Sequence, residues 1–181
     1  CYAIDAHHQG DHTTKILTFI EIESGQNRTL SEPMKLYAFD DDLTIDCTAD
    51  LGLGNLTISA NVASDNHYKP PFGHGDETNV EYVQVDPADS GLPMDLISGD
   101  IVGMWYLGPW STQMDSGWAI SATDLPGVSE GDTVQLITGD YFGMSWNIGG
   151  TATASADGSV SFSKDDCGGM HFLSTLLLVK Q

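Results

Sequence analysis

The chain has 181 residues, 40% of them hydrophobic, so it can bury a substantial core and is not disordered by composition. Its 26 acidic side chains against 6 basic ones give a net charge of -20. That balance excludes nucleic acid, because phosphate binding needs clustered Lys and Arg, and an anionic membrane surface would repel the chain. Asp outnumbers Glu by 20 to 6, and Asp favours turns, caps and cation sites. Such acidity suits a salt-rich or calcium-rich exterior where cations screen self-repulsion, so the expected location is extracellular, at a cell surface.

The sequence begins at Cys1, the residue that bears the lipid once a bacterial-type lipoprotein signal is cleaved. Lipidation of Cys1 is therefore an expectation, and such a lipid is the only membrane contact foreseen. That leaves Cys47 and Cys167 as an even pair, either a disulfide or two buried free thiols. A bridge between them would close a loop of roughly 120 residues and contribute a few kcal/mol in the chain-entropy model. No apolar run approaches the roughly 18 residues of a membrane-spanning helix. Asn27-Arg28-Thr29 and Asn55-Leu56-Thr57 are formal glycosylation triplets, with Asn27 and Asn55 as acceptors.

Residues 1–14 read as an extended polar tail, and 15–181 as a β-sandwich domain with a sub-boundary near 86–93. Lys15 to Ile22 is rich in β-formers. Met34 to Phe39 and Leu43 to Thr48 read as strands joined by an Asp40-Asp41-Asp42 hairpin turn. In Asn55 to Val62, Leu56, Ile58 and Ala60 share one face. Asn79 to Val85 is a further strand, broken by Pro87 to Pro93. The phrase Leu96–Met104 then recurs as Leu136–Met144, six of nine positions being identical. Each copy reads as strand, Gly-Asp turn and strand, predicting two equivalent hairpins in one β-architecture. Ala119 to Ala122 is a short strand before Pro126-Gly127, and Asp157-Gly158 is a strong hairpin signal between Thr151–Ala156 and Ser159–Ser163. The last run, Phe172 to Val179, is apolar on both faces and belongs in the middle of a sheet. Gly and Pro interrupt the chain about every 8–12 residues and no long 3.6-residue period appears, so the expected fold is an all-β antiparallel sandwich.

Gly131-Asp132-Thr133-Val134-Gln135-Leu136, Trp146, and the run from Gly150 to Ser159 resemble immunoglobulin-like β-sandwich modules of bacterial secreted and surface proteins. The resemblance covers about sixty residues and implies a Greek-key sandwich with a scaffold or binding role. It implies no catalytic residue.

Two clusters offer metal-ligand chemistry: His7, His8 and His12 with Asp5 and Asp11, and His67 and His74 with Asp65 and Asp76. Imidazole beside carboxylate suits zinc, copper or nickel, although no closed spacing is present. Cys167, Met170 and His171 are blue-copper residue types in the wrong order. Asp40, Asp41 and Asp42, with Asp46 and Asp50, supply hard oxygens suited to calcium. Asp100 and Asp140, each after a glycine, suit a turn role. Trp105, Tyr106, Trp110, Trp118 and Trp146 suit either sandwich core or a sugar platform. No nucleophile elbow is present, so the chain reads as non-catalytic, with no required cofactor. The expected function is a self-assembling subunit of a surface filament, sheath or coat, joined through residues 1–22 by strand donation. The alternative is a monomeric surface lipoprotein that binds calcium and glycan, or a transition metal.

Overall fold

A computed structural model describes residues 2–4, 16–18, 24–27, 29, 35, 37–44, 50–59, 68–69, 79–90, 97–108, 112–140, 145–163 and 170–181. Alternation builds its short strands: in Leu56-Thr57-Ile58 the leucine and isoleucine are buried and the threonine is half-buried, as a pleat with one face on a core requires. The strands in chain order are β1 (Tyr2–Ile4), β2 (Ile16–Thr18), β3 (Asp41–Thr44), β4 (Leu51–Leu53) and β5 (Leu56–Ile58). Next come β6 (Tyr68–Lys69), β7 (Asn79–Gln84), β8 (Asp100–Gly108), β9 (Thr112–Trp118) and β10 (Ile120–Ala122). The last five are β11 (Thr133–Asp140), β12 (Ser145–Thr153), β13 (Val160–Phe162), β14 (Met170–Leu173) and β15 (Thr175–Lys180). Every described pairing is antiparallel, and the protein is all-β.

A six-stranded sheet of order β12-β11-β15-β8-β7-β3 faces a four-stranded sheet of order β13-β10-β5-β4. Their shared core includes Val80, Trp105, Leu107, Leu136, Leu176 and Leu178 from the larger sheet and Leu53, Leu56, Ile120, Val160 and Phe162 from the smaller. A three-stranded sheet, β14-β9-β6, closes one end. Only Ala119 separates β9 from β10, and only Ser174 separates β14 from β15. Two strand pairs thus turn from the closing sheet into the two main layers, the corner device of packed sheets. The outer face of the six-stranded sheet is also covered: Met104, Tyr106, Ile137, Leu177 and Val179 pack with Tyr37, Phe39, Ile97 and Trp146. The terminal run divides at Ser174: Phe172 and Leu173 end β14, whereas Thr175–Val179 lie in β15, which pairs with β11 on one side and β8 on the other, where its two apolar faces require.

Several expectations need correction. Asp41 and Asp42 do not form a hairpin turn; they open β3, opposite Tyr82 and Glu81 of β7. The ladder to β7 takes up the inward-facing backbone groups of this edge strand. The two copies of the repeat are not equivalent hairpins. Gly99, with φ of 110°, precedes β8, whereas Gly139-Asp140 ends β11 inside the ladder to β12. β8 and β11 both flank β15, and Asp100 and Val134 both face Lys180, 134 − 100 = 34 positions apart. The repeat is offset by forty positions, so its copies are displaced along the sheet: Met104, which ends the first, lies level with Ile137 near the start of the second, both facing Leu177.

The Asp157-Gly158 turn forms, with φ of 77° at Gly158 and Ser155 N–H donating to Ser159 O at 2.9 Å. It joins different sheets, however, because β13 pairs with β10 and points Val160 and Phe162 into the core. The N-terminal stretch contributes β1, paired with β2 in a two-stranded ribbon. The strands on either side of 86–93 are neighbours in one sheet, Tyr82 pairing with Leu107. Between them lies a short 3-10 turn, Pro87–Asp89, capped by Asp86, whose carboxylate accepts from Ala88 N–H.

Candidate functional site

A β-sheet ends in strands whose outward N–H and C=O groups lack ladder partners, and folded proteins guard such edges with charge, brevity or bulges. Among the described residues the edges here are guarded unequally. The four-stranded sheet ends in β4 and β13, each three residues long. One edge of the six-stranded sheet, β3, carries Asp41 and Asp42 directly after Asp40. The other edge is β12, nine residues of sequence Ser-Trp-Asn-Ile-Gly-Gly-Thr-Ala-Thr with no charged side chain. Ile148 on this strand is 55% exposed, the one exposed large hydrophobic residue among the described residues. Ser145, Thr151 and Thr153 are exposed as well.

Local sequence explains this geometry. β11 and β12 pair from Asp140–Ser145 to Thr133–Thr153, with a register shift where Leu136 faces Gly150 and Ile137 faces Ile148. Gly149 is the extra residue of that bulge, and Gly150 adopts φ of 141°, a conformation suited to glycine. The edge is thus divided into Ser145–Ile148 and Gly150–Thr153. A sequence signal for the strand existed: Tyr141 to Ala156, between Asp140 and Asp157, is the longest stretch without Asp, Glu, Lys or Arg. Comparable uncharged stretches in β8 and β15 are explained by burial; β12 lies at an edge.

Most of the residues first considered for chemistry have structural surroundings or lie outside the described residues. Trp105, Tyr106 and Trp118 are buried core, which removes them from any sugar platform, and Trp146 is half-buried. Met170 is fully buried, while the neighbouring His171 is half-buried, and burial pushes its pKa down. Asp40, Asp50 and Asp100 are exposed. Asn27 is exposed, whereas Asn55 sits in the two-residue turn between β4 and β5 with its Oδ1 buried and without a hydrogen-bond partner among the described residues. His7, His8, His12, His67, His74, Cys1, Cys47, Cys167 and Trp110 lie outside the described residues. No group of three or more His, Cys, Asp or Glu able to hold a metal occurs among the described residues.

Several aspartates act in turns. Asp124 adopts φ of 52°. Asp132 accepts from Lys180 at 2.7 Å and from Ser129 N–H at 2.8 Å, and these bonds lower its pKa. Asp157 accepts from Ser155 Oγ at 2.6 Å and from Ser159 N–H at 3.0 Å. Hydrogen bonds from Ser155 and then Ser159 lower its pKa to about 2. A carboxyl whose folded pKa is depressed contributes stability that is present above its unfolded pKa, near 4, and lost as pH falls through the folded value. Denaturant midpoints are therefore expected to fall as pH drops from about 4 to about 2, and Asp157→Asn is expected to flatten that slope. An unchanged slope in Asp157→Asn would remove this turn from the acid response.

Buried hydroxyls at the corner where β14 turns into β15 make a second polar feature. Thr175 pairs with Tyr106 across the β15–β8 ladder, and neither side-chain oxygen has a hydrogen-bond partner among the described residues. Burial raises the Tyr106 pKa well above the usual phenol range, so the ring stays neutral. Beside them, Ser174 Oγ donates to Gly139 O at 2.6 Å, tying the β14–β15 corner to β11. These groups are enclosed by core and present no surface to a solute.

Among the described residues β12 is the one long edge without charge, and Asp86, Asp132 and Asp157 are engaged in hydrogen bonds within their own turns. No protein-family model, curated protein or solved structure matches the chain.

Proposed function

We propose that the protein is a non-catalytic, self-assembling structural subunit of an extracellular filament, sheath or coat. The observation that supports this reading is β12, a nine-residue edge strand without charge in a chain of net charge -20. A strongly charged protein that stays separate has every reason to place acids along an exposed edge, as β3 does. Leaving one edge neutral gives copies a place to meet where their mutual repulsion is weakest. Salt or divalent cations screen the remainder, so assembly is expected to strengthen as ionic strength rises.

Negative-stain electron microscopy at low and high salt tests the function directly. Regular filaments or sheets, more abundant at high salt, are the expected result. Separate single particles at both salts would overturn the assembly reading and favour a ligand-binding monomer.

A further inference from the structure

We infer that β12 is the contact strand and that its occupant is β12 of a second copy, paired antiparallel about a twofold axis. This inference rests on the assembly reading and names its surface and partner. Three features select the copy over a foreign chain. First, a basic partner would be drawn to the acidic faces and to the β3 edge, and would gain nothing electrostatic at β12. Second, an identical strand is uncharged along the same length, so no carboxylate of either contact strand enters the interface. Third, antiparallel pairing of one strand with itself is isologous, so a single exposed patch supplies both sides.

The result is one continuous sheet in which the two six-stranded layers join edge to edge. Main-chain hydrogen bonds supply the attraction, as in strand addition. Ile148, 55% exposed in the single chain, gains an apolar cross-strand neighbour. The bulge at Gly149 confines regular pairing to one half of the strand on each side of it. A twofold contact closes on itself, so a filament needs a second contact besides this one.

Sedimentation velocity over a concentration series, at low and high salt, is the test. The wild type is expected to form dimers or larger species, more so at high salt. The doubly substituted Ile148→Asp/Thr151→Asp chain is expected to weaken association by at least about tenfold while keeping the wild-type circular dichroism and melting. Both positions are exposed, so the added charges meet solvent in the separate chain. Amide hydrogen exchange supplies a second readout: protection should rise with concentration across Ser145–Thr153. Undiminished association of the double variant, or protection rising elsewhere and not in β12, would overturn this contact and leave self-assembly standing. A wild-type chain that stays monomeric at every salt would overturn both.

Discussion

Replacing Trp105 by alanine is expected to cost about 3–5 kcal/mol of folding stability, the range for removing a buried tryptophan side chain. Trp105 is 0% exposed and lies in the core shared by the two main sheets. Its indole also carries a directional link: Nε1–H donates to Leu53 O at 3.1 Å, from β8 in the larger sheet to β4 in the smaller. The space for the ring comes from Gly103, two residues earlier on the same face. A methyl at that position would lie 2.5 Å and 2.7 Å from ring carbons of Trp105. Size and polarity can be separated by comparing substitutions. Trp105→Phe keeps an aromatic ring and removes the donor, while Leu53 still pairs with Leu56 across the turn, so about 0.5–1.5 kcal/mol is expected for the lost hydrogen bond. Urea unfolding followed by far-ultraviolet circular dichroism measures both, provided the slopes agree with wild type. A loss below about 1 kcal/mol for Trp105→Ala would mean that the sheets are not joined through this residue.

How much of this was legible follows from which interactions are local. Alternation in Leu56-Thr57-Ile58 and in Ile120-Ser121-Ala122 marks a strand and its buried face, because the pleat alone sets that period. The apolar run Leu176–Val179 likewise announced a central strand, although the break at Ser174, where the chain leaves β14 for β15, was not foreseen. Partner choice was not legible. Asp157-Gly158 encodes a tight turn, but whether the next strand pairs back or crosses to another sheet depends on where Val160 and Phe162 find apolar contacts. The repeat misled for the same reason: a shared nine-residue phrase fixes local preference, whereas its place in the sheet depends on register against β15. Asp40–Asp42 read as cation ligands or a turn because an edge exists only once the strand order is known. The neutral character of Tyr141 to Ala156 was visible, but its meaning depended on β12 being outermost. The histidine clusters and the Cys47–Cys167 pairing lie outside the described residues.

The second large effect concerns the outer face of the six-stranded sheet. Leu177 and Leu178 are adjacent on β15 and both are 0% exposed, yet they belong to different clusters. Leu178 faces the smaller sheet with Leu136 and Trp105, while Leu177 packs with Met104, Tyr106 and Ile137 on the opposite side. That side is partly covered by the segment holding Tyr37 and Phe39. Tyr37 Oη donates to Asp89 O at 2.6 Å, and its ring lies 6.0 Å from that of Tyr106. If this cover is maintained in solution, Leu177→Ala and Leu178→Ala should each cost about 2–5 kcal/mol, since both remove a fully buried side chain. A sheet with one solvated face would respond differently: Leu178→Ala would retain its full cost and Leu177→Ala would fall below about 1 kcal/mol. Equilibrium urea unfolding of the two variants decides between these cases. The doubly substituted chain adds a further constraint, because the side chains share no cluster and their losses should approach additivity, within about 0.5 kcal/mol. A large departure from additivity would mean that the two faces communicate through β15, and that the cover over Tyr106 contributes to the stability of the inner core.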